Sequence, residues 1–180
     1  MKNAPKARVA TAWLDGCSGC HMSLLDVDEL LLALAGKITL VFGPLVDAQQ
    51  FPEGVDVALV EGAVSSQDDL KLAQTIRARS KFVIALGDCA VTSNVPSMRN
   101  AIPPQRLLER VYVAGAGAQP GVPTDGVPKL LRAATPLHEA IKVDLHVPGC
   151  PPPAAAIAYV LTELLEGRKP DLTAGAVKFG

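Results

Sequence analysis

The chain has 180 residues, of which 49% are apolar and 19% are charged, and its 17 basic and 18 acidic side chains leave a net charge of −1. This length predicts one domain, residues 1–180, and the balanced charge argues against nucleic-acid binding, which needs a basic surface. The mean hydropathy of +0.27 is high. No apolar run reaches the roughly 20 residues of a membrane span, so we expect a buried protein interface without direct membrane insertion. No apolar segment follows the N-terminal lysines, so we expect no signal peptide and a cytoplasmic location.

Short β-branched segments alternate with longer segments of helical period, which is typical of a parallel sheet with helices on both faces. The predicted strands are residues 8–14, 38–42, 55–60, 82–86 and 145–147, with 111–113 as a weaker candidate. The predicted helices are residues 22–35, 68–79, 129–141 with a break near Pro136, and 154–165, and Gly36 is expected as a left-handed cap. This order predicts an α/β, flavodoxin-like domain.

One stretch breaks the alternation. Seven of the fourteen residues from Gly115 to Pro128 are Gly or Pro, which predicts a long loop. Loops of this length are uncommon in compact domains unless they are functional or disordered. The loop therefore becomes ordered against a partner or is simply flexible.

The four cysteines each follow a predicted strand in a glycine-containing turn. These turns read Asp15-Gly16-Cys17-Ser18-Gly19-Cys20, Gly87-Asp88-Cys89 and Pro148-Gly149-Cys150-Pro151. Because the carboxyl ends of parallel strands open on one edge of the sheet, the four sulfurs can converge there. Four thiolates are the usual ligand set of an iron–sulfur cluster, and glycine lets the backbone approach a bulky inorganic core.

Three other interpretations compete with a cluster. A structural zinc ion also takes four cysteines, but its sites usually contain two close pairs, and only Cys17 and Cys20 are close in sequence. A thioredoxin-like Cys-x-x-Cys motif would leave Cys89 and Cys150 as ordinary buried thiols. A phosphate loop at the first turn is disfavoured because cysteines occupy the places of an anion-binding nest.

The segment Asp15-Gly16-Cys17-Ser18-Gly19-Cys20-His21-Met22-Ser23-Leu24-Leu25-Asp26 resembles the N-terminal cluster motif of nickel–iron hydrogenase small subunits, in particular the cytoplasmic bidirectional, NAD-reducing group. The similarity continues through residues 60–64, 85–90 and 147–152. The resemblance implies that Cys17, Cys20, Cys89 and Cys150 hold one proximal 4Fe-4S cluster beside the nickel–iron centre of a catalytic large subunit.

The resemblance also implies the partners. No cysteine remains for a second cluster, so electrons would pass to a ferredoxin-like iron–sulfur subunit and then to an NAD-binding flavoprotein that carries FMN, with further iron–sulfur clusters in these partners. The chain would not be catalytic alone. The alternatives are the small subunit of a membrane-bound energy-converting hydrogenase, which usually has an acidic residue where this chain has His21, and a complex I-like subunit, which typically has adjacent cysteines at the first turn. A zinc-stabilised interaction module is the alternative from a different class.

Glu61 ends the third predicted strand, on the edge that carries the cysteines. A carboxylate at a buried interface could relay protons, which the resemblance to the family's Glu-Gly segment favours; a solvated strand end is the alternative. His21 is expected to contact solvent rather than a cluster, and Trp13 to shield one side of the crevice. His138 and His146 are interpreted as structural, and Asp88 as a cap of its own turn.

Overall fold

A computed structural model describes residues 5–115, 117 and 120–172 of the chain. The strands are β1 (Ala7–Trp13), β2 (Ile38–Phe42), β3 (Val55–Glu61), β4 (Val64–Ser66), β5 (Ser80–Leu86), β6 (Leu130–Thr135) and β7 (Leu145–Val147). The helices are α1 (Gly19–Leu25), α2 (Glu29–Ala35), α3 (Gln67–Arg79), α4 (Asp88–Thr92), α5 (Pro104–Glu109), α6 (Leu137–Ala140) and α7 (Ala154–Leu165). A 3₁₀ helix spans Val95–Ala101 and one π-helical turn spans Arg110–Ala114.

Five strands form a parallel sheet in the order β2-β1-β3-β5-β7. Counting only these strands along the chain, the order is 2-1-3-4-5, the arrangement of flavodoxin-like domains. The predicted fold class is therefore confirmed. A separate antiparallel pair joins β4 to β6.

The two faces of the sheet each carry a hydrophobic core, because successive strand residues point to opposite sides. Along β5, Val83 and Ala85 pack in the core that contains α3, whereas Ile84 and Leu86 pack in the core that contains α7. Burial on both faces explains why the strands are nearly continuous apolar runs.

The structure corrects four predictions of local structure. Residues 22–35 form two helices rather than one, because the chain turns at Asp26–Asp28, where Asp28 has a φ of 52°. Gly36 is right-handed, with φ −70°, and is not a left-handed cap. Residues 111–113 lie in the π-helical turn and not in a strand.

The fourth correction concerns the predicted helix 129–141. Its first half is strand β6, which pairs with β4, and only the short helix α6 follows Pro136. The side-chain amide of Asn100 exchanges two hydrogen bonds of 2.8 Å with the backbone of Ala134, which further holds this segment extended. Tertiary pairing has overridden a helical pattern here. The predicted loop 115–128 contains no regular element among its described residues, and positions 116, 118 and 119 lie outside them.

Candidate functional site

The carboxyl ends of β1, β3, β5 and β7 surround one solvent-open cavity of about 80 Å³. All four predicted ligand cysteines line it. The lining residues are Gly16, Cys17, Gly19, Cys20, Glu61, Gly62, Asp88, Cys89, Gly149, Cys150 and Pro151. The structure thus brings together the residues that the sequence predicted to converge.

The first cysteine turn is held against the end of β3. Leu14 donates to the carbonyl of Glu61 at 2.9 Å, and Asp15 and Ala63 exchange backbone hydrogen bonds of 3.1 and 2.8 Å. Ser18 then adopts a φ of 66° and starts α1, which places Cys20 in the first helical turn. This reversal turns both sulfurs of the Cys-x-x-Cys motif toward the cavity.

The second and third cysteine turns are joined through Asp88. Its N–H donates to the carbonyl of Gly149 at 2.9 Å, and its Oδ1 accepts from the N–H of Gly149 at 2.7 Å. Asp88 therefore fixes the Cys150 turn relative to the Cys89 turn. The prediction that Asp88 caps its own turn was wrong, because its side chain accepts from Gly149, a residue 61 positions away.

Gly87 makes the tightest approach in the cavity. Its φ is +82°, and a Cβ at this position would lie 2.2 Å from Sγ of Cys20. The next turn has a similar requirement at Gly149, with φ +124° and a Cβ position 2.6 Å from Cα of Pro152. Only glycine satisfies both the backbone conformation and the space at these positions.

The four thiols differ in exposure and in their tendency to ionise. Cys17 and Cys150 are exposed, whereas Cys20 and Cys89 are partly buried. Burial, and then the nearby charge of Glu61, raises the pKa of Cys20 to about 12. Burial also raises the pKa of Cys89, although a hydrogen bond from the Val95 N–H acts in the opposite direction. Without a bound cation, the Cys20 thiol is neutral at pH 7, so metal loading there must release its proton.

Glu61 is buried and hydrogen-bonded rather than solvated. Its side chain is 2% exposed, and its Oε2 lies 2.8 Å from both the backbone N and the Nδ1 of His21. His21 therefore packs against Glu61, and its expected contact with solvent was wrong. The Nε2 atom of His21 is buried without a hydrogen-bond partner in the described structure.

The other singled-out aromatic side chains lie outside the cavity lining. Trp13 is half exposed and donates from Nε1 to the carbonyl of Gly16 at 3.0 Å, so it braces the first cysteine turn. The rings of His138 and His146 contact each other edge to face at 5.6 Å, in agreement with a structural interpretation.

The cavity supplies a sulfur donor set around an open space. Among the described residues, no group of three or more His, Cys, Asp or Glu side chains is arranged to hold a single metal ion. The thiolates that hold a cluster of several metal atoms lie farther from one another than the thiolates around a single zinc ion, where the Zn–S distances are about 2.3 Å. Four cysteine side chains around one cavity are the donor set that an iron–sulfur cluster needs.

Sequence reasoning missed three contacts of the site: the His21–Glu61 pair, the bridge of Asp88 to Gly149, and the hydrogen bond from Val95 to Cys89. All three join segments that lie apart in sequence or depend on the exact path of a turn. For the His21–Glu61 pair, one signal was present in the sequence: Glu61 and the cysteines both lie at the carboxyl ends of predicted strands.

The chain matches the family model of the NADH ubiquinone oxidoreductase 20 kDa subunit over residues 17–164. It is 40% identical to the NAD-reducing hydrogenase HoxS subunit delta of Cupriavidus necator, over 93% of this chain and 82% of that protein. It is also 39% identical to a vhu subunit of the F420-non-reducing hydrogenase of Methanocaldococcus jannaschii, over 92% of this chain but only 58% of that protein.

A solved structure agrees with these relatives. A chain in the crystal structure of an NAD⁺-reducing [NiFe]-hydrogenase in the H2-reduced state superimposes with a TM-score of 0.93 at 38% identity, over 98% of this chain and all of that chain. The similarity therefore extends over the sheet, the covering helices and the cysteine turns together. No helix in the described part of the chain is long and apolar enough to cross a bilayer.

Proposed function

Because the chain belongs to the family of the NADH ubiquinone oxidoreductase 20 kDa subunit, as a small subunit of the NAD-reducing or related nickel–iron hydrogenases, we propose that it carries one 4Fe-4S cluster and transfers electrons. The observation that carries this proposal is the convergence of Cys17, Cys20, Cys89 and Cys150 on one cavity. When bound, the cluster would supply one-electron redox chemistry.

The chain's own residues hold and insulate this site. The thiolates of the four cysteines are the ligands. Gly87 leaves room for the sulfur of Cys20, and Gly149 lets the Cys150 turn pack against Pro152. Asp88 keeps the Cys89 and Cys150 turns at a fixed separation. The N–H of Val95 points to the Cys89 sulfur, and such hydrogen bonds tune the reduction potential of a cluster.

The proposed partners follow from the same assignment. A nickel–iron large subunit splits hydrogen, this chain takes the electrons singly, and a ferredoxin-like iron–sulfur subunit passes them to an NAD-binding flavoprotein with FMN, all in the cytoplasm. The alternative is the small subunit of an energy-converting hydrogenase or of a complex I-like module. Such a subunit would hold the same cluster with the same cysteines and would pass the electrons to a different acceptor.

Glu61 is the proposed proton relay. Splitting one hydrogen molecule yields two protons and two electrons, so protons must leave by a route separate from the cluster. Glu61 lines the cavity, is buried, and contacts His21, which gives a carboxylate with a second titratable side chain at hydrogen-bond distance.

Metal and sulfide analysis of the anaerobically purified complex tests the assignment, together with Cys89→Ala and Cys150→Ala. Because the partner subunits carry further clusters, the result is read as a difference: we expect each variant complex to contain about four irons and four sulfides fewer than the unaltered complex, with a matching loss of visible absorption. Ser97→Ala, which alters a side chain outside the cavity lining, is the control. A loss of one zinc with unchanged iron and sulfide would establish the interaction module instead, and a variant with unchanged iron, sulfide and zinc would remove that cysteine from the site.

A further inference from the structure

The described residues of segment 95–135, which are 95–115, 117 and 120–135, form a lobe beside the Cys89 turn, which we call the basic lobe. It contains the 3₁₀ helix Val95–Ala101, α5, the π-helical turn Arg110–Ala114 and β6. Arg99 connects the 3₁₀ helix to β6 and β4, since its guanidinium donates to the carbonyls of Leu131 and Ser65 at 3.2 and 2.9 Å. These hydrogen bonds hold the lobe to the rest of the domain.

The charge of the basic lobe differs from that of the rest of the chain. It holds five basic and two acidic residues, although the whole chain has a net charge of −1. Every ion pair between described residues lies outside it. Four of its cations therefore carry no intramolecular counter-charge and no described side-chain hydrogen bond: Arg106, Arg110, Lys129 and Arg132.

The same lobe exposes large apolar side chains between its cations. Val95 and Met98 are 60% and 77% exposed. The others are Ile102, Val111, Tyr112, Val113, Val127 and Leu130. Apolar area among unpaired charges is the composition of a protein–protein interface with a charged rim.

The basic lobe is also connected directly to the candidate cluster site. Its first residue, Val95, lies close enough to Cys89 for its backbone N–H to lower the pKa of that thiol. Two residues earlier, the N–H of Ser93 donates to the carbonyl of Cys89 at 3.1 Å, which closes the turn between them. A partner that binds the lobe at Val95 would therefore lie close to Cys89, one of the four proposed ligands.

We propose that the basic lobe is the electron-exit surface of this chain, and that its occupant is an acidic iron–sulfur protein. This inference rests on the proposed function and adds the place and the charge of the acceptor. Steering by the four unpaired cations would bring the acceptor to the Cys89 side of the cavity, and the apolar residues would hold it there.

The observations favour this occupant over two others. A second copy of the chain would bring two basic lobes together, and like charges across an interface cost free energy. A nucleic acid would use the cations but would leave the exposed aliphatic side chains of the 3₁₀ helix and the π-helical turn without a matching surface.

The test compares two double charge reversals in the whole complex. Arg106→Glu with Arg110→Glu alters the lobe, at positions one helical turn apart. Lys37→Glu with Lys169→Glu makes the same change in net charge at the opposite end of the sheet, where β2 begins and α7 has ended. Three quantities are measured: iron and sulfide content, hydrogen-driven reduction of a small redox dye, and the subunits retained at low and at high salt.

We expect the lobe variant to lose an iron–sulfur subunit rich in acidic residues while the subunits that remain keep their own iron and their dye reduction, with a fall of about tenfold or more in protein-acceptor reduction at low salt. The control should retain that subunit. The inference would be overturned if both variants retained the acidic subunit or if both lost it equally. It would also be overturned if the lobe variant released a basic subunit, a cofactor-free subunit or nucleic acid. Absence of iron and of dye reduction in the unaltered complex would instead refute the proposed function, and subunit retention would still report on the lobe.

Discussion

Gly87 occupies the place where the turn after β5 passes closest to the first cysteine turn. Gly87→Ala would put a methyl group 2.2 Å from Sγ of Cys20, and it would hold alanine at φ 82° and ψ 162°, a backbone conformation that is essentially confined to glycine and costs other residues about 1–3 kcal/mol. We therefore expect the variant to lose most of its iron and sulfide while its far-UV circular dichroism stays unchanged. Gly121→Ala, where a Cβ meets no atom within 4 Å, is the matched control. Full iron content in Gly87→Ala would show that the cluster is not held at this approach.

Glu61 combines burial with two hydrogen bonds from one residue, so its structural and chemical roles must be separated. Glu61→Gln keeps the size of the side chain and an oxygen that accepts from the N–H of His21, but it cannot carry a proton as a carboxylate does. We expect normal cluster content and a fall in hydrogen-driven turnover of about tenfold, equivalent to ~1.4 kcal/mol in the barrier. Both are measured in one preparation.

The exposed Glu139, changed to Gln, serves as the control for that experiment. Unchanged turnover with an intact cluster would reduce Glu61 to a residue that positions His21. Loss of turnover and cluster together would make Glu61 a structural residue of the site.

Among the elements, the parallel strands were predictable and the lobe was not. Each strand that is covered on both faces has to be apolar almost throughout, so the sequence marks β1, β3 and β5 clearly. The cysteine site was predictable as well, because each of its three turns follows a strand of the main sheet: β1, β5 or β7.

Other elements depend on contacts that a sequence pattern does not contain. The three residues of β4 are too short to show a period, and β6 is extended only because β4 and Asn100 bind it. The turn between α1 and α2 depends on Asp28 adopting φ 52° and ψ −121°, a conformation that non-glycine residues rarely adopt and that no hydrophobic period indicates.

Asp144 ties α3 to two strands of the main sheet. Its Oδ2 accepts from Arg77 at 2.5 Å and from the N–H of Val83 at 2.8 Å. Burial by itself would raise the pKa of Asp144, but these two hydrogen bonds outweigh it and the pKa lies below its ordinary value. A depressed folded-state pKa gives stability that is present above the unfolded pKa near ~3.9 and is lost as the pH falls through the folded pKa.

Asp144→Asn is therefore expected to lower the free energy of unfolding by about 1–2 kcal/mol at pH 7, and the difference from the unaltered chain should shrink progressively in acid. Urea unfolding of the dilute, iron-free chain, followed by circular dichroism across this pH range, measures it. Asp68→Asn is the control, because Asp68 and Lys71 form an exposed pair that contributes little. An equal loss at every pH would assign the effect to packing rather than to charge.

On the scale of the whole molecule, the parallel order of the sheet concentrates function on one edge. The carboxyl ends of β1, β3, β5 and β7 bring together turns separated by more than a hundred positions, and the basic lobe is added after the third of these strands. The opposite edge carries no cysteine. Partner contacts that serve electron transfer must therefore gather around one end of the domain.

This concentration predicts how the chain behaves without its partners. Large apolar side chains are exposed on both sides of the cysteine cavity, with Met22 and Leu45 on the side of the first turn and Val95 and Met98 on the side of the basic lobe. Met22 and Leu45 also line a common groove with Leu40. The isolated chain should thus self-associate at micromolar concentration, because contiguous exposed apolar surface seeks a partner.

Light scattering of the isolated chain and hydrogen exchange in the complex measure these expectations. Leu45→Ser should reduce self-association with little effect on folding, since this side chain is 76% exposed, whereas Leu59→Ser, at 2% exposure, should unfold the chain. Residues 120–128 should gain exchange protection only in the complex, if the glycine- and proline-rich loop contacts a partner. A sharply monomeric isolated chain with equal protection of that loop in both states would mean that the exposed apolar residues are not an interface, and the high hydropathy of the sequence would then reflect the doubly covered sheet alone.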